Sequence, residues 1–195
     1  MGYSELKIEE FLKLTSSTSS MPGGGVVCAL LGAEAVSLAL KVCNLSLGKE
    51  KYKENEILIK ESIEELKELR LIFYKLMDDD AREFKVMEEV YKMPQNTDDE
   101  KIKRKEALKN ACTVCCKVPC KVITNSLLLI EKVNLLDGKT NVSAASDLKL
   151  AMMFAETAIR GAWENVEINL KYANDENLNK SVEPIMQKIM KLYIL

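Results

Sequence analysis

The sequence predicts an all-α fold: an antiparallel bundle of five to six helices with one very long helix, assembled as a dimer. Three observations carry this. Apolar residues recur at intervals of three and four through most of the chain, the period of one helix face. Leu, Lys, Glu, Ala and Ile dominate, and only four prolines and eight glycines stand among 195 residues to interrupt helices. No stretch alternates polar and apolar residues at the period of a half-buried strand. Neither an internal repeat nor a linker divides residues 1–195, which read as one domain of a size that buries a substantial core.

The first helix is expected over about Glu5 to Leu14, before a Ser/Thr stretch that ends in Pro22-Gly23-Gly24-Gly25. The second, Val26 to about Leu47, is rich in Ala and stops at Gly48. The third runs from about Lys53 to Lys92 and ends ahead of Pro94. Its seam reads Ile59, Ile63, Leu66, Leu69, Phe73, Met77, Asp80, Phe84, Met87, Tyr91. Asp80 alone in that seam is charged.

Thr97 and Glu100 form a capping-box pattern that opens the fourth helix, which Pro119 should kink. The fifth runs from about Ser143 to Ala173, and Asp175-Glu176 separates it from a short last helix, about Val182 to Tyr193. At 1.5 Å per residue the third helix would reach about 60 Å, long for a monomer of this size, so a homodimer is expected.

Composition excludes several function classes. With no histidine, Ser-His-Asp and Cys-His catalysis and His-ligated metals are ruled out. Proton chemistry must come from Asp, Glu, Lys, Tyr or Cys. A formal net charge of −2 gives no electrostatic reason to expect nucleic acid. The charged Met1–Glu10 segment is unlike a secretory signal, and Val26–Leu40, interrupted by Gly32, Glu34 and Ser37, is short of a membrane span. A cytoplasmic protein is the expectation. Of the six cysteines, Cys112, Cys115, Cys116 and Cys120 lie in one helical segment, the first three at the period of one helix face, and only Cys28 and Cys43 remain to join them, so they read as small core residues and not as a metal site.

Three constellations are candidates for function. Gly23-Gly24-Gly25 lets backbone approach a ligand and aim amide donors at it, or is simply a flexible entry to a helix. In Asp78-Asp79-Asp80, Asp79 belongs to a solvated face. Asp80, on the seam, is either an acid or base at raised pKa or the partner of a cation such as Arg104 or Lys49. Asn141, Ser146 and Asp147 surround a helix start, where capping explains them as well as ligand binding does. Further along that helix, Asn165 and Asn169 share a face with Ala158, Gly161 and Ala162, and buried amides there need partners in backbone, water or ligand.

In order along the chain, the PGGG entry to an Ala-rich helix, LSLGKEKY at 45–52, DDDAREFKVMEEVYKMP at 78–94, Glu100, Lys101, Arg104, Ala107, Val118-Pro119, Asn141, Ser146-Asp147 and GAWENVEINL at 161–170 resemble the cyclodeaminase/cyclohydrolase family. That family includes the cyclodeaminase domain of formiminotransferase-cyclodeaminase and stand-alone methenyltetrahydrofolate cyclohydrolases. The chain departs from the family pattern at Val26, where Ser is usual, and at several cysteines that replace Ala or Leu.

The resemblance implies a helical homodimer that binds a tetrahydrofolate and needs no other cofactor and no metal. It also implies one of two reactions. Hydrolysis of 5,10-methenyltetrahydrofolate to 10-formyltetrahydrofolate is preferred, because a formiminotransferase part is absent from this chain. Cyclisation of 5-formimidoyltetrahydrofolate to the methenyl form, with loss of ammonia, is the alternative. A non-catalytic helical folate binder or scaffold is a third reading. Under the enzyme readings Asp80 and Asp147 exchange protons. Gly23, Gly24, Gly25, Asn141, Ser146, Asn165 and Asn169 position the folate, and Lys49 and Arg104 meet its carboxylates. Nucleic acid and membrane are not expected partners.

Overall fold

Helix boundaries follow local chemistry. In the computed structural model, which describes residues 2–192, a single 3₁₀ turn at Tyr3–Glu5 precedes α1 (Ile8–Thr15). Helix α2 (Gly24–Ser46) begins inside the glycine run and gives way to Gly48 at φ 72°. A 3₁₀ segment, Glu50–Asn55, leads into α3 (Glu56–Lys92), which is 37 residues long. Helix α4 (Asp98–Cys115) opens with the expected capping box: the Thr97 hydroxyl accepts from the Glu100 amide at 3.2 Å, and the Glu100 carboxylate accepts from the Thr97 amide at 2.9 Å. Then come α5 (Lys117–Leu136), a 3₁₀ turn at Val142–Ala144, α6 (Ala145–Ala173) and α7 (Glu176–Leu192). The described residues thus form seven α-helices and no strand.

The first and third helices each begin about three residues later than expected, after 3₁₀ segments, and two further boundaries differ more. The expected fourth helix is two helices, broken at Cys116 and not at Pro119. Pro119 is still the cause. A proline withholds a donor from the carbonyl four residues earlier and its ring crowds that carbonyl, which here belongs to Cys115. Pro119 itself lies in the first turn of α5, where a missing amide costs little. The last helix starts six residues early because Asp175 does not separate helices. It starts one, its carboxylate accepting from the amides of Asn177 and Leu178. Tyr193, the expected end of that helix, lies outside the described residues.

Helix α2 is the axis of the bundle, packed along α6 and α3, while α5 lies against α6. By length and composition α2 alone, and α4 with α5, would suffice to cross a bilayer, contrary to the estimate from Val26–Leu40. Its place explains the composition, since Val26, Ala29, Ala35, Val36, Ala39, Val42 and Cys43 are wholly buried. On α6 the facing stripe is Ala151, Ala155, Ala158 and Ala162, all fully buried. Small residues on both sides bring the two backbones close. Gly32 and Gly161 extend the same logic: a Cβ at 32 would collide with the Phe73 ring, and one at 161 would stand 2.7 Å from the Cys28 sulfur. The α2–α6 pair runs antiparallel, so the glycine start of α2 meets the C-terminal half of α6.

Candidate active site

The seam of α3 leaves the core as it nears the start of α2. Ile59, Ile63, Leu66, Phe73 and Met77 are buried, whereas Asp80, Phe84 and Tyr91 turn toward a cleft of about 240 Å³. Gly23, Gly24 and Gly25 form one wall, Asn165, Asn169 and Tyr172 of α6 another, and Cys115 and Pro119 close it at the α4–α5 break.

Asp80 lies against the N-terminus of α2. The space a Cβ on Gly25 would take is filled by its carboxylate, and the Val26 amide donates to it. Among the described residues Asp80 forms no ion pair, so neither Arg104 nor Lys49 holds it. Burial, and then the neighbouring charge of Glu83, push its pKa up to about 6, against the opposing pull of the Val26 amide. The Val26 side chain itself is wholly buried, so residue 26 serves the site through its backbone.

Glu83, which sequence reasoning missed, also lines the cleft. Its spacing of three from Asp80 was the available signal, since residues so spaced share a helix face. Burial raises its pKa, and Lys121 and Lys117 of α5 work against that rise.

Asp79 was misread as solvated. It is 5% exposed and bonds Arg82 through Oδ1 at 2.5 Å. Asp78 accepts from the Tyr3 amide at 2.8 Å and so ties the N-terminal segment to α3.

Asn165 and Asn169 each donate to the carbonyl one turn back, Gly161 at 2.8 Å and Asn165 at 2.7 Å. Those bonds orient both amides along the wall, and a Cβ on Gly24 would sit 3.5 Å from the Asn165 nitrogen.

The other expected residues are elsewhere. Asp147 is 18 residues before Asn165 on α6, about 27 Å along the axis. There it pairs with Lys41 at 2.7 Å. Asn141 accepts from the Ser143 amide and donates to the Leu45 carbonyl, while its own amide meets the buried Ser46 hydroxyl at 2.7 Å. Ser146 and Lys49 are exposed at this same end. One chain therefore does not bring Asp147, Asn141, Ser146 or Lys49 to Asp80. Arg104 binds the Val90 carbonyl and Gln95 Oε1, stapling the α3–α4 turn beside Tyr91 at the rim. The cysteines pack as expected of core residues: four are buried and two half-buried, all as free thiols.

Comparison with known proteins identifies the family. The family model for formiminotransferase-cyclodeaminase matches residues 7–188. The chain is 37% identical over 175 residues to a methenyltetrahydrofolate cyclohydrolase of Methylorubrum extorquens, covering 86% of this chain and 81% of that one. It is 30% identical over 172 residues to the formimidoyltransferase-cyclodeaminase of Mus musculus and 26% over 181 to that of Gallus gallus; it spans about a third of the length of each, 32% and 34%. The crystal structure of formiminotetrahydrofolate cyclodeaminase from Thermotoga maritima superposes with a TM-score of 0.84 at 27% identity, over 96% of this chain and 90% of that one. With the match running through every helix that builds the cleft, the chain belongs to the formiminotransferase-cyclodeaminase family.

Proposed function

We propose that this chain, as one helical domain, hydrolyses 5,10-methenyltetrahydrofolate to 10-formyltetrahydrofolate in the cleft at the start of α2. The observation that carries the reading is a half-buried carboxylate, Asp80, set against the start of α2 in a mostly apolar cleft opened by three glycines. Similarity to the Methylorubrum cyclohydrolase over most of both chains supports the choice of reaction.

In that reaction water adds to an amidinium carbon and a carbon–nitrogen bond then breaks. A proton acceptor is needed for the water and a donor for the leaving nitrogen. Asp80, with a pKa near 6, is placed to exchange protons near neutral pH. Phe84, Tyr91 and Ile168 offer flat and apolar faces to a pterin ring, and Asn165 and Asn169 offer polar groups to its edge. The folate and water are the only reactants the reading needs. Asn141 and Asp147 are assigned to holding the start of α6, and Arg104 to the rim.

Cyclodeamination is the second reading, favoured by the likeness to the Thermotoga structure. Its chemistry differs mainly in the nucleophile, a folate nitrogen in place of water. Loss of the near-ultraviolet absorbance of 5,10-methenyltetrahydrofolate above the spontaneous rate tests the first reading. Ammonia release from 5-formimidoyltetrahydrofolate tests the second. A chain that does neither, and gains no thermal stability with a reduced folate, is a scaffold.

We also propose that the protein is a homodimer. The shallow groove between α3 and α5 carries exposed Ile72, Leu128 and Leu135, flanked by the Lys132–Glu65 ion pair, and Leu71 is exposed nearby. Sedimentation equilibrium of wild-type protein and Leu128→Glu tests this: the wild type should sediment at twice the chain mass and the variant nearer to once. The six free thiols suit a reducing compartment such as the cytoplasm.

A further inference from the structure

We propose that Glu83 is the second proton-handling carboxylate of the cleft, acting as the base while Asp80, one turn away on the same face of α3, acts as the acid. The identity of the reacting atoms rests on the folate reading above; the pairing itself rests on geometry.

Both carboxylates line the cleft, and the other candidate, Asp147, lies at the far end of α6. Oε2 of Glu83 is fully buried and accepts no hydrogen bond from the described residues. A buried carboxylate oxygen without a donor is costly and is usually found where a ligand or water supplies one.

The groups around the two acids set their order. Facing Glu83 are Lys117 and Lys121 from α5, Asp79 and Arg82 from its own helix, and the Cys115 thiol, which donates to its backbone carbonyl. Facing Asp80 are Glu83 itself, the Val26 amide of α2, and the thiols of Cys28 and Cys115, with no cation among the described residues. Burial raises both acids, but only at Glu83 do two lysines and Arg82 work against that rise, and a charge on Glu83 in turn favours the proton on Asp80.

The step balances. Glu83 takes a proton from water as its oxygen bonds to the methenyl carbon, and the amidinium electron pair returns to nitrogen. Asp80 gives its proton to N5 as the bond from carbon to N5 breaks. The new hydroxyl then becomes the formyl carbonyl and returns its proton to Asp80. Glu83 finally releases one proton to solvent, which accounts for the charge of the lost cation.

The test combines a proton titration with kinetics. Carboxyl carbons of Asp are labelled with ¹³C, the Asp80 resonance is assigned by its loss in Asp80→Asn, and its midpoint is followed in wild type and in Glu83→Gln. The midpoint should fall by about one pH unit in Glu83→Gln, as removal of a like charge requires. Turnover of 5,10-methenyltetrahydrofolate should fall about 100-fold or more, with KM nearly unchanged. Glu83→Asp keeps the charge but draws it back, so it should leave the Asp80 midpoint raised while turnover falls; it also serves if Glu83→Gln folds poorly. An unmoved Asp80 midpoint in Glu83→Gln, or turnover within about threefold of wild type, overturns the assignment. A wild-type chain that does not accelerate methenyl loss, with the Asp80 midpoint still falling in Glu83→Gln, overturns the folate reading and leaves the carboxylate pair standing.

Discussion

The Asp80 carboxylate fills the volume that a methyl group on residue 25 would need. Gly25 is the second residue of α2 and carries no positive φ, so its backbone would accept alanine, and helix propensity alone would favour the change by up to about 1 kcal/mol. The absent Cβ is there for Asp80.

Gly25→Ala is therefore expected to separate stability from activity. Asp80 can swing away into the cleft, so the melting free energy should stay within about 1 kcal/mol of wild type. Displaced from the Val26 amide, the carboxylate leaves the position the proposed reaction requires, and kcat should fall at least about tenfold. Thermal melts and steady-state kinetics on the same preparation check both halves.

Asp80→Asn is expected to lower kcat by about 10² to 10⁴ while making the protein no less stable at neutral pH. The sign follows from linkage. Folded Asp80 titrates near 6 and an unfolded aspartate near 3.8, so between those values the folded chain holds more proton. Stability conferred on the protonated form is then lost as pH rises, a cost of up to about 3 kcal/mol above pH 6 that the neutral amide does not bear. The gap between variant and wild-type denaturation midpoints should be widest near pH 7 and close by pH 3. A gap that does not depend on pH would contradict the raised pKa.

Asp147→Asn should leave kcat within about threefold of wild type, because α6 carries residue 147 away from the cleft. Its ion pair with Lys41 is half-exposed, so the loss of stability should stay below about 1 kcal/mol. A loss of activity as large as that of Asp80→Asn would mean that Asp147 reaches the reacting atoms from a second copy of the chain.

The thiols should be slow. Burial pushes Cys28, Cys43 and Cys120 up to about 11 and Cys115 and Cys116 to about 12, which suppresses the reactive thiolate. A disulfide-exchange reagent such as DTNB should label native protein far more slowly than protein in denaturant, where all six cysteines react.

Much of this was legible in the chain because it follows from periodicity. The apolar seam of α3 located Asp80 by its interruption, and a triple glycine located the wall it meets. What periodicity cannot report is which neighbour an element meets across space. Asp79 reads as surface in one helix, yet its Arg82 partner and the surrounding bundle bury it. Asp147 and Asp80 both read as carboxylates poised near helix features, but only the antiparallel run of α2 against α6 places them at opposite ends. Glu83 looked like one more charge in an acidic stretch until the α4–α5 break set Cys115 and Pro119 across from it.

The glycines and alanines of α2 and α6 also dictate how the chain tolerates change. At positions 25, 32 and 161 another side chain already stands in the place of a methyl group, and the alanine stripe has no slack beyond its own Cβ atoms. Shrinking a residue here costs roughly the 1 kcal/mol of helix propensity that separates glycine from alanine. Enlarging residue 32, residue 161 or an alanine of the stripe forces the helices apart, typically at about 1–3 kcal/mol, whereas at 25 the Asp80 carboxylate yields instead. Variation in this pair of helices is thus bounded by a ceiling on volume, and the candidate cleft at Asp80 lies at one end of the segment where that ceiling is lowest.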